Sequence, residues 1–553
     1  MFLLLVALFM LMGILSPTGL LSALANPAVM VIFVLIMLTK GFQKLFRGAV
    51  LQAFFNPQQS ERFFLTKLTL TVSSLSAFIN NTPIVAMLIP YVKEWTHQKK
   101  VSVGHFLMPL SFATVLGGML TMVGTSTNLV LNGLLIDFKL PPLVLSDFLW
   151  AGLAVLIPGL LYLNFFAFRL LPNAKESPKE EAAWQSYLVE TVLKPDARLI
   201  GMTVEEAQLR HLGDAFLAEI HRGQTRIAPV LPQTRLEAED HLFFSGNKEA
   251  VYQLVKSRKS LALPDEQALI KYGHFAFAEA VLPVHSSFVG QRVKESDFRE
   301  KNNATIVAVM RKGRRLTEKM GDLKLNAGDL LLLLVGEQKP ANQRDLLYLT
   351  PTVSIKSMSI SKKIIGYLAF MLLILGIAGL LPLFAAAFFA LLLLLMAKLL
   401  SMEELKDAVD VDLLMILVSA LAVGRVMDDS GLADVLVQPL LAGGGDWPLM
   451  WSVVGLYLAT LMLTTLITNV AAVSIVFPIA IAMAQGLGQD LTPFMLCIAF
   501  AASGDFMTPI GYQTNLMVMG PGRYQFKDYL RFGLPLTFIY ATALLTYLWW
   551  RFF

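Results

Sequence analysis

Apolar residues come in long blocks along this chain. The first set runs through about 2–15, 27–39, 63–92, 104–136 and 148–171. The second runs through about 364–397, 411–426, 447–485, 491–519 and 530–550. A helix needs about 20 apolar residues to cross a bilayer, so the blocks predict roughly ten to twelve crossings. Between the two sets, residues 172–360 alternate short β-rich runs with polar turns, the pattern of a water-soluble insert. Several blocks are broken by Pro, Gly, Asn and Thr at what should be membrane depth. Irregular backbone survives there only when buried in protein or lining a cavity.

The breaks repeat. Ile79-Asn80-Asn81-Thr82 precedes Pro90, and Ile467-Thr468-Asn469-Val470 precedes Pro478, each second Asn-position standing nine residues before its proline. Gly124-Thr125-Ser126-Thr127-Asn128 answers Gly511-Tyr512-Gln513-Thr514-Asn515, at intervals of 47 from Asn81 and 46 from Asn469. Asp147 with Gly152 answers Asp528 with Gly533, and Ser16 leading to Asn26 answers Ser401 leading to Asp412. Four landmarks in one order predict an internal duplication, and paired interruptions in two halves point to a transporter built from inverted repeats. Two apolar segments precede Ser401 but one precedes Ser16. Either the copies have opposite orientations, or the sequence begins one helix late. The apolar run Met1–Leu15 lacks the basic leader of a secretory signal and is expected to be a retained first span.

Composition agrees with this reading. The 553 residues are 56% hydrophobic and 15% charged, with mean hydropathy +0.62, where soluble proteins carry about 25% charged residues. Of 85 charged side chains, 50 lie in residues 172–360. A net charge of +5 on this length makes no case for nucleic acid. The single cysteine, Cys497, excludes a disulfide framework or a zinc cluster. No nucleophile–base pair stands out, so an enzyme is not expected, nor a bound cofactor.

The insert is also a pair. Glu190 to Gly201 and Glu279 to Gly290 are both 11 residues, and Gly201 to Asp240 and Gly290 to Asp329 are both 39. Each copy should contain a short strand, a polar helix, a β-rich stretch (Ala215–Ile220, Thr305–Met310), a basic turn and a final strand (His241–Ser245, Leu330–Val335). The expected organisation is a transmembrane repeat over 1–171, a linker 172–187, α+β modules over 188–260 and 277–345 with a linker 261–276, a linker 346–360, and a second repeat over 361–553. Lys44, Arg47, Lys93, Lys99 and Lys100 make the neighbouring loops basic, which puts the insert in the cytoplasm by the positive-inside rule.

An Asn amide offers two donors and an acceptor, and leaving it unpaired in hydrocarbon is costly. Asn80, Asn81 and Thr82, with Thr468 and Asn469, are therefore the leading candidates for holding an ion where helices break. Asp505 is the lone intramembrane carboxylate, and its counterpart in the first repeat is Gly118. It is either a coupling residue for protons or cations or a solvated or ion-paired vestibule residue. Asp147 and Asp528 should cap the helices that follow them.

With these motifs, and with Asp412-Leu413-Leu414 leading to Gly424, the chain resembles the divalent anion/sodium symporter family. That family belongs to the ion transporter superfamily with the citrate-transporter-like fold. The insert resembles two TrkA-C (RCK C-terminal) domains, as in a permease branch that carries such a pair between its halves. The resemblance implies a polytopic α-helical protein with two inverted repeats, re-entrant hairpins and an elevator-like displacement within a homodimer of a bacterial inner membrane.

By position, the resemblance implies substrate contacts from Asn80, Asn81, Thr82, Thr125, Thr468 and Asn469. It implies cation sites from Ser76, Asn81, Gly124, Thr464, Asn469 and Gly511, with sodium as co-substrate. Asn80 and Val470 depart from the family's Ser-Asn-Thr pattern, and Tyr512-Gln513 replaces the Thr-Pro expected after the second glycine. The unequal hairpins favour a compact oxyanion such as sulfate over a dicarboxylate. The TrkA-C pair would bind a small regulatory ligand or stabilise the dimer; no Gly-x-Gly-x-x-Gly nucleotide fold accompanies it. Two alternatives remain. A cation/proton antiporter of the same superfamily would use Asp505. A TrkA-C-gated cation channel or potassium transporter would need a Gly-rich filter that the chain lacks.

Overall fold

Proline and glycine cut the apolar blocks into shorter helices than their length suggests. The computed structural model describes residues 2–18, 20, 27–54, 59–173, 188–195, 197–209, 215–223, 225–227, 230–246, 260–262, 277–283, 286–302, 304–311, 314–316, 321–335, 346–348, 359–408, scattered positions from 415 to 435, and 449–553. Asp412, Gly424 and the Asn26 landmark lie outside the described residues.

The block at 63–92 becomes two helices, Glu61–Ser76 and Asn81–Lys99, separated by a non-helical break at 77–80. Three further helices follow: Gly104–Gly118, Ser126–Asp137 and Leu145–Leu170. The second half runs through the same series: Leu449–Leu466, Asn469–Gly486, Leu491–Ser503, Gln513–Met519 and Phe526–Phe552. Ser60 caps the first helix by accepting from Phe63 N, and Thr468 caps the Asn469 helix by accepting from Ala471 N. Asp147 Oδ2 accepts from Val144 N at 2.8 Å and Asp528 Oδ2 from Gln525 N at 2.7 Å, the capping roles expected of them.

Among the described residues six helices are long and apolar enough to span a bilayer. The breaks leave shorter apolar helices beside them, Leu383–Met396 and Leu491–Ser503. Polarity is distributed inside out relative to a soluble protein. Thr114, Asn128, Thr514 and Asn515 are fully buried, while Trp150, Phe165, Phe538 and Trp550 are exposed, as a lipid-facing surface requires. The fold is that of a multi-pass membrane protein.

Two sets of helices divide the membrane part. Pro27–Phe54 packs with Ile360–Ile377 and Leu383–Met396. Lys44, expected in a loop, sits inside this helix and ties it to Glu404 at 2.7 Å and to Leu399 O at 3.1 Å. The second set contains both five-helix series. Leu145–Leu170 packs on Phe526–Phe552, and Gln513–Met519 packs on both Asn81–Lys99 and Gly104–Gly118. The two halves are thus interleaved.

The insert folds into two five-stranded antiparallel sheets. The first contains β1 (Leu188–Leu193), β2 (Ala215–Arg222), β3 (Thr225–Ile227), β4 (His241–Gly246) and β5 (Leu261–Ala262). The second contains β6 (Phe277–Val281), β7 (Ala304–Arg311), β8 (Arg314–Arg315), β9 (Leu330–Val335) and β10 (Leu347–Tyr348). Their orders, β3-β2-β4-β1-β5 and β8-β7-β9-β6-β10, are the same, and each carries a bulge at the same place, Leu217/Glu219 and Ile306/Ala308. Arg222 pairs with Asp240 as Arg311 pairs with Asp329.

Two expectations change. Strands β5 and β10 extend the sheets into residues assigned to linkers, 261–262 and 347–348. The polar helix is reduced to Val293–Glu295 and Phe298–Asn302 in the second module, and residues 198–208 of the first are mostly turns. There the backbone bonds to a distant loop instead, through the bridges Thr203–Arg235 and Arg292–Lys324.

Candidate functional site

In each half a hydroxyl, an Asn amide and a carbonyl of a third helix are tied together in the same way. Ser76 Oγ donates to Asn81 Oδ1 and to Thr114 O, the latter at 2.7 Å. Thr464 Oγ1 donates to Asn469 Oδ1 at 2.9 Å and to Ala502 O at 2.7 Å. The five-residue offset puts the hydroxyl on the last turn of one helix and the amide on the first turn of the next. Each bond therefore spans the break.

The loops match as well. Thr121 Oγ1 accepts from Gly124 N at 3.1 Å, and Thr508 Oγ1 accepts from Gly511 N at 2.9 Å. Asn128 Nδ2 donates to Thr121 O at 3.0 Å, and Asn515 Nδ2 to Thr508 O at 3.2 Å. Sequence reasoning passed over Thr121 and Thr508. Their signal is nonetheless present, since each lies three residues before its glycine and seven before its Asn.

Around the first loop, oxygens converge. A Cβ on Gly118 would lie 3.1 Å from Asn81 Oδ1 and 3.2 Å from Gly124 O. A Cβ on Gly124 would lie 2.5 Å from Gly118 O and 2.7 Å from Ser76 O. A side chain at either glycine would crowd these four oxygens, and hard oxygen donors suit a small cation.

The second loop differs at one position. Asp505 occupies the place of Gly118, three residues before Thr508. Its carboxylate accepts from Met507 N at 3.0 Å, Thr508 N at 3.3 Å and Thr508 Oγ1 at 2.8 Å, and it lies against Gly511 so closely that no side chain fits there. The buried carboxylate (1% exposed) thus holds its own loop in shape.

The halves meet through Tyr512 and Gln513, the pair that stands where Thr-Pro was expected. Asn81 Nδ2 donates to Tyr512 Oη at 2.7 Å, with Thr125 Oγ1 3.5 Å from the same oxygen. Thr82 Oγ1 donates to Gln513 Oε1 at 3.2 Å. Ser111 Oγ adds bonds to Thr514 Oγ1 at 2.8 Å and Asn515 Oδ1 at 2.7 Å. Sequence reasoning treated Tyr512 and Gln513 only as departures, because no spacing encodes a contact across 431 residues.

Not every expected residue joins this cluster. Asn80 makes no side-chain cap bond and lines a separate cavity with Thr39, Phe42, Phe78 and Ser126, against the Pro27–Phe54 helix. Thr468 is exposed and serves as a helix cap. Asn469 is half-buried, and its Nδ2 makes no hydrogen bond among the described residues, unlike that of Asn81.

The citrate transporter family (CitMHS) matches residues 1–386 and 370–553. An uncharacterized transporter of Synechocystis sp. is 30% identical over 97% of this chain and 90% of its own. The uncharacterized transporter YfbS of Escherichia coli is 26% identical over 96% and 92%. Sodium/sulfate cotransporter 1 of Chlamydomonas reinhardtii is 26% identical over 64% of this chain, which spans 42% of that protein. A crystal structure of the Alcanivorax borkumensis YdaH transporter covers 96% of this chain and 86% of its own at 13% identity, with a TM-score of 0.47. With the match running from end to end, the chain belongs to the citrate transporter family.

Proposed function

We propose that this transporter carries a small divalent anion, sulfate in preference to a dicarboxylate, driven by co-transported sodium or by protons. The observation that carries the reading is the matched pair of hydroxyl–amide contacts and glycine loops in the two halves, with Tyr512 of the second loop bonded to Asn81 of the first half. Sodium, as co-substrate, suits the oxygen cradle of Ser76, Asn81, Gly118 and Gly124, with Thr464, Asn469 and Gly511 as the related set. The anion would take donors from Asn469 Nδ2, Thr125 Oγ1 and the Tyr512 hydroxyl, with Thr82 and Thr468 nearby in sequence and Asn80 at the outer cavity. Tyr512 and Gln513 fill space between the halves, which favours a compact tetrahedral oxyanion. The name of the Chlamydomonas cotransporter supports the same substrate class.

Movement would be elevator-like within a homodimer, with the two five-helix series sliding against the set built on Pro27–Phe54. The architecture is read as two inverted repeats, and the insert as a pair of TrkA-C-like regulatory modules on the cytoplasmic face of a bacterial inner membrane. Asp505 favours one other reading, a cation/proton antiporter, because a carboxylate stands where the first half has glycine.

Labelled sulfate uptake into proteoliposomes, under separate sodium and proton gradients with succinate and citrate as competitors, tests the proposal. Asn81→Ala and Asn469→Ala should each abolish uptake while leaving the protein folded. Normal uptake by either variant would remove the hairpin assignment. Dequenching of a pH dye on adding sodium without any anion would instead support the antiporter.

A further inference from the structure

The two insert modules are built alike, yet one position differs in a way that backbone geometry does not require. The turn before β9, Asn326-Ala327-Gly328-Asp329, matches Glu237-Ala238-Glu239-Asp240 before β4. In both, the aspartate N–H reaches back three residues, and the residue before it bonds to the end of the first strand: Gly328 N to Leu282 O at 2.7 Å, and Glu239 N to Leu193 O at 3.0 Å. Both residues are left-handed, with φ of +82° at Gly328 and +64° at Glu239. An exposed glutamate therefore adopts this conformation in the first module. Glycine in the second has another cause.

That cause is close approach to a membrane helix. A Cβ on Gly328 would lie 2.6 Å from Leu516 Cδ1 and 3.0 Å from Leu516 Cγ. One turn further on, Gly520 is also close, since a Cβ there would lie 3.1 Å from Leu330 Cβ. Val281, Met310 and Leu330 are buried in the same apolar cluster as Leu516. The matching residues of the first module are Val192, His221 and His241, which are half-buried. Only the second module has both the missing side chain and the apolar patch.

Leu516 belongs to the short helix Gln513–Met519, and its N–H bonds to Tyr512 O at 3.3 Å. The helix face that receives the module is thus one turn from the tyrosine that joins the two halves. We propose that Gly328 and Leu516 are positioning residues, through which the second soluble module sets the placement of Tyr512 and Gln513. This rests on the anion-site reading above. It differs from a general regulatory role by naming which module acts and through which contact.

The test is a double-substitution cycle on full-length protein in proteoliposomes. Gly328→Ala should raise the KM for labelled sulfate by about five-fold, the size expected of an overpacked contact, with a smaller effect on maximal rate. Leu516→Ala in the same chain should recover part of the change, and Glu239→Ala should leave KM unaltered. Backbone hydrogen exchange over residues 512–519 should quicken in Gly328→Ala and not in Glu239→Ala. If Gly328→Ala fails to fold, Leu516→Ala alone should show the same exchange change by emptying the contact. A folded Gly328→Ala with unchanged KM and unchanged exchange overturns the inference and leaves the anion reading standing. Absence of anion uptake by the unmodified protein overturns that reading instead, and the exchange result still decides this one.

Discussion

Removing the Tyr512 hydroxyl would leave the Asn81 amide, 1% exposed, without the acceptor it meets at 2.7 Å. A buried donor left unpaired costs about 1–3 kcal/mol. Tyr512→Phe should therefore lower sulfate uptake about ten-fold or more at fixed substrate, with only a modest fall in the unfolding temperature in detergent. Asp505→Asn tests a different role. An amide oxygen can still accept from Met507 N and Thr508 N, so the loop should hold. If the charge draws the cation, uptake should persist while its dependence on the sodium or proton gradient weakens. At this scale the resemblance, carried over by position, singled out Ser76 and Asn81 and Thr464 and Asn469, which hydrogen-bond in pairs. The sequence was silent on Tyr512, whose partner lies in the other half.

Among elements, the terminal helix of each half presses on its own loop. A Cβ on Gly152 would lie 2.9 Å from Leu120 Cα and from Met119 O, and one on Gly533 would strike Phe506 O. The expected duplication paired these glycines with Asp147 and Asp528, but spacing could not say that both abut a loop. Gly533→Ala should push the 504–512 loop and its carboxylate out of place. Loss of uptake with a monodisperse, folded protein is the expected result, read by size-exclusion alongside transport. Where the apolar blocks are cut was hidden from hydropathy for a related reason. Hydropathy registers apolar length, whereas at the break over 77–80 Thr121 Oγ1 donates to Ala77 O and Ser76 Oγ bonds across to Asn81.

At the level of the whole molecule, the equal ion pairs of the two modules offer a comparison. Asp240 and Asp329 are fully buried, and each takes a bidentate guanidinium, from Arg222 and Arg311. Removing one partner of a buried pair costs about 3–5 kcal/mol, so Arg222→Ala and Arg311→Ala should each destabilise their own module by a similar amount. Only Arg311→Ala should also change transport, because its turn rests on Leu516. Equal effects of the two on uptake would argue against that asymmetry. The likeness of the modules was legible from intervals of 11 and 39 residues. Their unequal placement was not, since a glycine in a left-handed turn looks conformational until its neighbour is known.

The hydrogen bond from Asn81 to Tyr512 also has a meaning in time. Its ends are 431 residues apart, and ribosomes add about 5–20 residues per second. The first break and its Asn81 must therefore wait roughly 20 to 90 seconds after synthesis for the acceptor to be made, while the two insert modules emerge between them. During that interval the amide has to be met by water or by the insertion machinery. The half-made protein is then a substrate for quality control as well as a precursor, and a ribosome stalled within the insert would leave behind a first half unable to close.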